Sequence, residues 1–282
     1  MVDATASDSF AFLAREKEVV RLGHETLRRG ELSPAAIESA AACIQRFRAA
    51  AEVWKVDKIL AVATASVREA SNSAQFVEQI EKTTGIGVEI LSGIEEARLI
   101  GLAASQQCAN HDAVNLNIDI GGGSTEISLF RDDTALALYS VRVGAVRLTD
   151  QYLKSDPPKP EDVASLKAEI DAAFQPPARE LKDAKWQHVS GTSGTILALG
   201  AALRAGTEIA LTQLSQLNLT IAAMNQNARR VVAGFSSQRA EIIVAGGYIL
   251  EGAMRALGVN CLRTCDWALR EGVIMDYLRS VS

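Results

Sequence analysis

The chain has 282 residues, a formal net charge of −5, and a composition that is 48% hydrophobic and 22% charged. These values are typical of a globular protein and exclude the disordered, collagen-like and coiled-coil classes. The acidic balance also excludes a general nucleic-acid binder, which needs surplus Lys and Arg to neutralise phosphates. The length accommodates one large domain or two ordinary ones.

The cysteines and the chain start indicate a reducing compartment. Four cysteines are too few for a disulfide framework, and Cys261 and Cys265 lack the partner ligands of a zinc site. The opening residues have neither the basic nor the apolar segment of a signal peptide. No apolar run approaches the roughly 20 residues that span a bilayer. We therefore expect a soluble, cytoplasmic protein without membrane association.

The first part of the chain alternates between strand-like and helix-like patterns, which is typical of an α/β fold. Ser33 followed by Pro34 is a strong helix start, because Ser caps the first turn and Pro suits the first helical position. The pattern predicts extended structure over 10–22, a helix from residue 34, a strand over 58–62, a helix over 72–84 closed by Gly85, a strand over 88–91 and a helix over 94–105.

A second block follows the polar segment 107–113 and also begins with strands. Its pattern predicts strands over 115–120, 125–130 and 135–143, helices over 161–174 and 178–184, a strand over 187–190, helical structure over 210–235 and within 238–258, and a last helix over 269–278. Two blocks that each begin with strands predict two similar domains facing a cleft.

The segment 119–126 is the first candidate for chemistry. Gly121, Gly122 and Gly123 let a backbone approach a ligand closely and present successive N–H groups to an anion. Asp119 and Glu126 flank the glycines and are hard oxygen ligands that suit Mg²⁺ beside a phosphate. A plain β-hairpin with a glycine-rich turn is the competing interpretation.

The segment 190–195 is the second candidate, since it follows a strand and opens a helix. Gly191, Thr192, Ser193 and Gly194 place hydroxyls and N–H groups at the positive end of that helix, where a phosphate binds favourably. A simple turn with a capping hydroxyl is the alternative. The segment is not a P-loop, because no Lys follows the second glycine.

Charged residues in two further segments have ordinary explanations as well as functional ones. Glu95 and Glu96 lie in the first turn of a predicted helix, where they complement the helix dipole or supply a general base. Their spacing does not decide between them. Arg68 can bind a phosphate bidentately or form an exposed ion pair. Asp266 caps a helix or closes the far side of a cleft.

Taken in order, these loops resemble the exopolyphosphatase/guanosine pentaphosphate phosphohydrolase (Ppx/GppA) family. The resemblance covers nearly the whole chain, and the set is specific although each piece alone is not. The matching segments are REKEVVRLG (15–23), TASVREA (64–70), EILSGIEEARLIGLA (89–103), NIDIGGGSTEI (117–127), GAVRLTDQYL (144–153), VSGTSGTILALG (189–200), RAEIIVAGGYIL (239–250) and DWALREGV (266–273).

The resemblance implies an α/β fold of the actin-like ATPase superfamily, which includes sugar kinases, Hsp70 and actin. In that fold two ribonuclease H-like domains face an interdomain cleft. We expect the first domain over 1–112, the second over 113–272, and a C-terminal helix over 273–282 that packs on the first. The chain resembles the family's short, two-domain forms.

The resemblance also implies Mg²⁺-assisted hydrolysis of the terminal phosphoanhydride of polyphosphate, or removal of the 5′-phosphate of pppGpp as in the stringent response. Glu96 matches the family's catalytic base, and Arg68 a phosphate-positioning arginine. Asp119 and Glu126 match residues that hold Mg²⁺. The remaining matches are phosphate-binding positions: Gly121, Gly122, Gly123, Ser124, Gly191, Thr192, Ser193 and Gly194.

The chain departs from the family at its start. Family members open with a strand and a first phosphate loop of the pattern D-[LIV]-G-[ST]-N-S, and Met1 aligns just beyond that loop. We expect that the start was assigned too late, at an internal Met, rather than that the chain is truly truncated. As written, the chain is expected to be poorly stable and weakly active.

Two other functions compete with the hydrolase. A phosphate or nucleotide sensor with weakened catalysis is favoured by the missing first loop and opposed by the presence of Glu96, Arg68, Asp119 and Glu126. A sugar or acetate kinase is less favoured, because the Glu-Glu-Ala-Arg segment and GAVRLT suit a phosphatase. The sequence does not decide between polyphosphate and pppGpp, and an Ala- and Leu-rich helix could support a homodimer.

Overall fold

The structure is a computed structural model that describes residues 1–6, 9–18, 20, 22–204 and 206–281. The chain forms two compact units, one of Met1–Ser92 with Val273–Ser282 and the other of Gly93–Gly272. This boundary precedes residue 112 because the helix that begins at Gly93 packs against the strands of the second unit. The assignment of ribonuclease H-like domains to 1–112 and 113–272 stays a prediction.

The first unit combines short strand pairs with helices around a small apolar core. β1 pairs with β2 in antiparallel fashion, and β3 pairs with β4 in parallel fashion. Its elements are β1 (Val2–Ala6), β2 (Ser9–Phe12), α1 (Leu22–Arg29), α2 (Pro34–Val53), β3 (Val62–Ala63), α3 (Ala65–Arg68), α4 (Ser73–Thr84) and β4 (Glu89–Ile90). The core residues are Leu32, Ile37, Ala40, Ala41, Val67, Ala70, Phe76 and Ile80.

Two helix boundaries of the first unit confirm the sequence signals. The Ser33 hydroxyl accepts a hydrogen bond from the Ala36 N–H at 3.2 Å, and Pro34 is the first residue of α2. Gly85 ends α4 with a φ of 69°, a left-handed conformation that glycine adopts without strain. The start of α2 and the end of α4 therefore lie where the local sequence alone places them.

Two strand predictions in the first unit are wrong in extent. The extended structure predicted over 10–22 ends at Phe12, and α1 begins at Leu22; Val19 and Arg21 lie outside the described residues. Of the strand predicted over 58–62, only Val62 belongs to β3. Ile59 and Leu60 are exposed rather than buried, so their apolar character does not reflect a place inside a sheet.

The second unit is built on a six-stranded mixed sheet in the order β7-β6-β5-β8-β10-β9. Its elements are α5 (Gly93–Cys108), β5 (Val114–Ile120), β6 (Thr125–Arg131), β7 (Thr134–Val141), α6 (Ala145–Tyr152), α7 (Pro160–Glu180), β8 (His188–Thr192), α8 (Ser193–Leu203), β9 (Glu208–Ala210), α9 (Leu211–Ala222), α10 (Gln226–Arg230), α11 (Ser237–Ala256) and β10 (Cys261–Thr264). The last helix, α12 (Leu269–Ser280), begins in this unit, and its residues from Val273 onwards belong to the first unit. The sequence did not predict β1, α1, α3, α6, β9 or β10.

The parallel pairing of β5 with β8 positions the two glycine-rich segments. Their register places Asp119 opposite Thr192, and the antiparallel neighbour β6 places Glu126 opposite Asp119. Because parallel strands end at the same edge of a sheet, the loop after β5 and the start of α8 meet there. Ligands bind at such edges in open α/β sheets.

Alternation along β5 gives the sheet an apolar face and a polar face. Leu116, Ile118 and Ile120 belong to the large apolar core formed with the helices that follow β7. The opposite face carries Asn115, Asn117 and Asp119, which are also buried. α5 covers this polar face. A side chain at Gly101 of α5 would meet the Ser128 hydroxyl oxygen at 2.3 Å, so only glycine permits that approach.

α7 runs without interruption from Pro160 to Glu180, so the prediction of two helices separated at 175–177 is wrong. Pro176 and Pro177 lie inside the helix and cannot donate the backbone hydrogen bonds of their turn. Phe174 and Pro177 are buried, and α7 packs against α11 along its length. Tertiary packing of α7 on both sides of the prolines therefore outweighs the tendency of Pro176 and Pro177 to break the helix.

Within the described part of the chain, none of the helices combines the length and the apolar character that crossing a membrane requires.

A buried carboxylate joins α11 to α9. Glu251 accepts hydrogen bonds from the Ser215 hydroxyl at 2.9 Å, the Asn218 amide at 2.8 Å and the Arg255 guanidinium at 2.9 Å. Burial raises the pKa of Glu251, but these hydrogen bonds and the charge of Arg255 outweigh burial and leave its pKa below the usual value. The folded state therefore prefers the ionised carboxylate.

We expect Glu251→Gln to lower the free energy of unfolding at pH 7 by about 1–3 kcal/mol, because it leaves buried donors facing a poorer acceptor. A carboxylate with a depressed folded-state pKa stabilises the protein above its unfolded pKa of about 4.3, and this contribution is lost as pH falls through the folded pKa. Denaturant unfolding at pH 7 and under acid conditions measures the difference. Glu208→Gln, at an exposed position of β9, serves as the control. A deficit that stays constant with pH would contradict the role of the ionised carboxylate.

Candidate functional site

A pocket of about 360 Å³ opens in the second unit where β5 and β8 end. Acidic, glycine and basic residues meet in its wall. The lining residues are Glu96, Ile100, Asp119, Ile120, Gly121, Gly122, Ser193, Gly194, Arg239, Ile242, Ala268 and Leu269. The two glycine-rich segments and one of the two predicted glutamates therefore contribute to the same pocket.

The loop after β5 is held from behind by α6. The carbonyl of Gly121 accepts from the Ala145 N–H at 3.0 Å, and that of Gly122 accepts from the Val146 N–H at 3.0 Å. The Arg147 guanidinium donates to the carbonyl of Gly123 at 3.0 Å. The loop carbonyls are thus turned towards α6. This is the arrangement in which the N–H groups of a glycine loop can serve an anion.

Gly144 makes this docking possible. A Cβ at this position would lie 2.4 Å from the Gly122 carbonyl oxygen, so any other residue would push α6 off the loop. Ser124 is buried behind the glycines, and its carbonyl accepts from the Gly121 N–H at 2.9 Å. Gly123 and Ser124 shape the loop, whereas Gly121 and Gly122 line the pocket.

Three carboxylates are buried at this edge of the sheet: Glu96 and Asp119 are each 7% exposed and Glu126 is 1% exposed. Burial and the nearby charge of Glu96 raise the pKa of Asp119 to about 6, against a hydrogen bond that lowers it. Burial, then Glu96, then Asp119 raise the pKa of Glu126 well above its usual value. Burial and mutual repulsion therefore disfavour the ionised forms of Asp119 and Glu126.

The structure distinguishes the two adjacent glutamates of α5. Glu95 forms a two-point ion pair with Arg98, at 2.9 Å from Nε and 2.6 Å from Nη2. The hydrogen bond from Arg98 lowers the pKa of Glu95. Glu96 points into the pocket instead and is buried beside Asp119. Adjacent helical residues are about 100° apart around the helix axis, so Glu95 pairs with Arg98 outside the pocket while Glu96 lines it.

A directed chain of hydrogen bonds runs inside the polar face and ends on Asp119. The Asn115 amide donates to the Ser190 hydroxyl at 2.9 Å, which donates to the Asn117 carbonyl oxygen at 2.8 Å. The Asn117 amide donates to the Thr192 hydroxyl at 3.2 Å, which donates to Asp119 Oδ2 at 2.5 Å. Because each group donates to the next, the chain polarises towards the carboxylate and fixes its orientation.

The second glycine-rich segment, 190–195, is divided between the sheet and the pocket. Gly191 and Thr192 are buried within β8 and do not line the pocket, and the Thr192 hydroxyl is directed at Asp119; phosphate binding by these two residues stays a prediction. Ser193 and Gly194 line it. Ser193 has a φ of 87°, strained for a residue with a side chain, and its hydroxyl accepts from the Thr195 N–H at 3.2 Å. At the start of α8, the Ser193 hydroxyl therefore satisfies part of the free backbone N–H groups.

Arg239, in the first turn of α11, is the positive group of the pocket wall, and our sequence analysis gave it no role. Its Nη1 donates to the Thr195 hydroxyl at 2.8 Å, and burial lowers its pKa. No salt bridge to a carboxylate is found for it in the described ranges of the chain. A half-buried guanidinium that keeps its charge without a carboxylate is suited to bind an anion. Its only sequence signal was its place at the head of the matching segment RAEIIVAGGYIL.

Arg68 belongs to the first unit, in α3, where its Nη1 donates to the Leu91 carbonyl at 2.8 Å. Its place in the site stays a prediction. Asp266 lies just before α12 and accepts from the Gln107 amide at 2.5 Å, so it is not the N-cap of that helix. The cap is formed by Glu271, whose Oε2 accepts from the Ala268 N–H at 3.0 Å.

The carboxylate oxygens of this cluster are suitable ligands for a hard divalent cation. Glu126 Oε1 accepts from the Ser140 hydroxyl at 2.8 Å, whereas its buried Oε2 has no hydrogen-bond partner among the described residues. An orphaned carboxylate oxygen and raised pKa values both indicate charge that a cation would compensate, and carboxylate oxygens are the ligands that Mg²⁺ prefers. Asp119 and Glu126 could therefore hold such a cation. A second acidic group, of His111, Asp112 and Asp132, brings ligand atoms within 4.8 Å of one another, but it lies at the opposite ends of β5 and β6.

Comparison with known proteins supports the resemblance found in the sequence. The Ppx/GppA phosphatase family matches residues 1–281. The chain is 32% identical over 290 residues to exopolyphosphatase 1 of Mycobacterium leprae, covering 99% of this chain and 86% of that protein. It is 33% identical to exopolyphosphatase 1 of Mycobacterium tuberculosis, covering 99% and 84%.

Solved structures agree with this result. A Ppx/GppA family member from Aquifex aeolicus superposes with a TM-score of 0.81 at 25% identity, covering 97% of this chain and 91% of that one. An exopolyphosphatase from Cytophaga hutchinsonii superposes with a TM-score of 0.89 at 24% identity, covering 100% and 94%. The predicted α/β fold of the actin-like ATPase superfamily is confirmed. The homodimer and the cytoplasmic location stay predictions.

The Thr192 hydroxyl should determine how readily Asp119 ionises. We expect Thr192→Val to raise the pKa of Asp119 above about 6, because it removes the hydrogen bond to the charged form and keeps the side-chain shape. Such hydrogen bonds contribute about 1.5–3 kcal/mol. Carboxyl carbon NMR on protein freed of divalent cations with a chelator measures the titration. Thr192→Ser keeps the hydroxyl and should leave the pKa near that of the unchanged protein. Equal pKa values in the Val and Ser variants would show that the hydroxyl does not act on Asp119.

Proposed function

Because this chain belongs to the Ppx/GppA phosphatase family, we propose that it removes the terminal phosphate of inorganic polyphosphate by attack of water. The observation that carries the proposal is the convergence of Glu96, Asp119, the glycine loop and Arg239 in the wall of one pocket. Phosphoryl transfer requires mainly positioning and charge compensation, and these groups can supply both.

In the proposed mechanism the terminal phosphoryl group binds at the edge shared by β5 and β8. The N–H group of Gly122 and the start of α8 donate to its oxygens. Arg239 adds a positive charge, whose interaction with the phosphate is strengthened because the side chain is half-buried. These donors hold the terminal phosphorus in line with the attacking water and with the bridging oxygen that leaves.

Glu96 is the proposed general base. It accepts a proton from the water as that water attacks the terminal phosphorus, and the bond from phosphorus to the bridging oxygen breaks. The products are orthophosphate and a chain shorter by one phosphate. Burial at the pocket wall and a place in the first turn of α5 support this role, because the carboxylate is aimed at the ligand by a rigid element.

Asp119 and Glu126 are proposed to hold Mg²⁺. When bound, the cation would supply positive charge near the transferred phosphoryl group. The protein's own contribution is the fixed orientation of Asp119 by Thr192 and of Glu126 by Ser140. Residues that orient a metal ligand contribute substantially to metal affinity in other proteins.

Polyphosphate is the first choice of substrate because the curated relatives that match nearly the whole chain are exopolyphosphatases. pppGpp is the second candidate, since it offers the same terminal phosphoanhydride. A sensor with little turnover is the alternative outcome. Phosphate release from each compound, compared as kcat/KM at saturating Mg²⁺, decides among the three.

Glu96→Gln should lower kcat for phosphate release from polyphosphate by about 10²- to 10⁴-fold, the usual contribution of a general base. The amide keeps the size of the side chain but cannot accept the proton, so binding of polyphosphate should persist. Phosphate release gives kcat, and equilibrium binding of the same substrate gives the affinity.

Glu95→Gln is the matched control, because Glu95 pairs with Arg98 and has no place in the pocket wall. It should keep kcat within about twofold of the unchanged chain, a limit set by the weak effect of partly exposed ion pairs. Equal losses in the two variants would rule out a specific base role for Glu96. An unchanged chain that binds polyphosphate without turnover would support the sensor.

Asp119→Asn should raise the Mg²⁺ concentration needed for half-maximal activity by about 10- to 100-fold, the range that loss of coordination support produces in metal sites. Mn²⁺ binding followed by electron paramagnetic resonance gives a measurement independent of turnover. Asp183→Asn, at a position where the side chain is 90% exposed, should change neither. Unaltered Mn²⁺ binding in the Asp119 variant would refute the metal assignment.

A further inference from the structure

The side chain of Arg239 crosses from α11 to the start of α8, where an uncharged group receives it. Its Nη1 donates to the Thr195 hydroxyl at 2.8 Å. Thr195 is 1% exposed, so its hydroxyl is shielded from competing water. Across the described residues, this is the one side-chain hydrogen bond of the guanidinium. The other N–H groups of this pocket-lining side chain therefore stay available to a ligand.

The backbone at each end of this hydrogen bond is held by the hydroxyl of a serine. The Arg239 N–H donates to the Ser236 hydroxyl at 3.2 Å, and the Thr195 N–H donates to the Ser193 hydroxyl at 3.2 Å. Such caps fix the first turn of a helix independently of contacts further out along its side chains. Loss of the Thr195 hydroxyl should therefore release the Arg239 side chain while both helix starts stay in place.

Two glycines leave the space that this contact needs. A Cβ at Gly246 of α11 would lie 2.4 Å from Thr195 Cγ2, so the helix reaches Thr195 only because that position has no side chain. A Cβ at Gly194 would lie 2.5 Å from Arg239 Nη2. The backbone of Gly194 is helical and has no left-handed φ, so its own conformation does not require glycine. The absence of a side chain at Gly194 instead makes room for the guanidinium.

We propose that Thr195 is a positioning residue, whose hydroxyl holds the Arg239 guanidinium ready for the terminal phosphate; this inference rests on the proposed function. A neutral acceptor suits the task, because a carboxylate in its place would orient the arginine but cancel the charge that attracts the phosphate. An arginine that is already held loses little rotamer freedom when the ligand binds. An arginine without this hydrogen bond has to be ordered by the ligand, which weakens binding.

Thr195→Val keeps the shape of the side chain and removes the acceptor. We expect it to raise the Kd for orthophosphate about three- to tenfold, the usual cost of immobilising a long side chain on binding. Isothermal titration calorimetry of the full chain with Mg²⁺ present measures this Kd. Thr195→Ser keeps the hydroxyl and should restore the affinity of the unchanged chain. Thr220→Val, at an exposed position of α9, is the matched control and should leave the Kd unchanged.

A double-mutant cycle with Arg239→Gln distinguishes positioning from a general structural role. In the Arg239→Gln chain, Thr195→Val should cause no further loss of affinity, because the hydroxyl acts only through the guanidinium. Gly194→Ala should follow the same pattern, since its methyl group displaces the guanidinium, while stability to denaturant is kept or increased because alanine favours a helix. A loss of affinity from Thr195→Val that persists in the Arg239→Gln chain would overturn the proposal.

Kinetics with polyphosphate separate this proposal from the proposed function. Thr195→Val should raise KM by a factor similar to that of the Kd and change kcat less, because the guanidinium contacts the phosphate before and during the reaction. If the unchanged chain binds orthophosphate but releases none from polyphosphate, the proposed function fails, and the binding cycle still decides the role of Thr195. Equal Kd values for the Val variant and the unchanged chain, or no orthophosphate binding by the unchanged chain, would refute the positioning role.

Discussion

The burial of three carboxylates under α5 is the constraint on which the rest of the second unit depends. Glu96, Asp119 and Glu126 are almost fully removed from water, and their mutual repulsion adds to the cost of burial. An apolar sheet face would be more stable there. The polar face of β5 and β8 makes the burial tolerable by giving Asp119 a directed hydrogen-bond donor, and the remaining charge defines what the site must bind.

The arrangement of the helices follows from that constraint. α5 has to approach the sheet closely enough to bury Glu96, and Gly101 permits it because no side chain there would clear Ser128. α6 has to press against the glycine loop from the other side, and Gly144 permits that approach. Two glycines outside any recognised loop are therefore as important to the site as the three glycines within it.

The sequence predicted the alternation of strands and helices, the two glycine-rich segments and the caps at Ser33 and Gly85. It could do so because these signals are local. Residue spacing alone could not separate Glu95 from Glu96, since that choice depends on whether Arg98 or Asp119 is the neighbour; only the family resemblance selected Glu96. The sequence pattern also divided α7 at Pro176, because the packing that keeps the helix continuous comes from α11.

The same reasoning explains why the sequence did not predict the hydrogen bond from Thr192 to Asp119 or the place of Arg239 in the pocket wall. A hydroxyl in a glycine-rich segment resembles a phosphate ligand, but the register of β8 turns that of Thr192 into the sheet, onto Asp119. Arg239 stands more than forty residues from the nearest glycine-rich segment, and only the packing of α11 against α8 brings it to Thr195.

The net charge of −5 means that the residues of the pocket must attract a polyanion to an acidic protein. A polyanion approaching an acidic protein is repelled until it meets local positive charge, and three buried carboxylates strengthen that repulsion at the pocket itself. Arg239 supplies one positive charge against three potential negative ones. A cation held by Asp119 and Glu126 would reverse the balance at the point where phosphate has to bind. The same carboxylates that repel a polyanion by themselves would therefore, with a metal ion bound, make the pocket suitable for one.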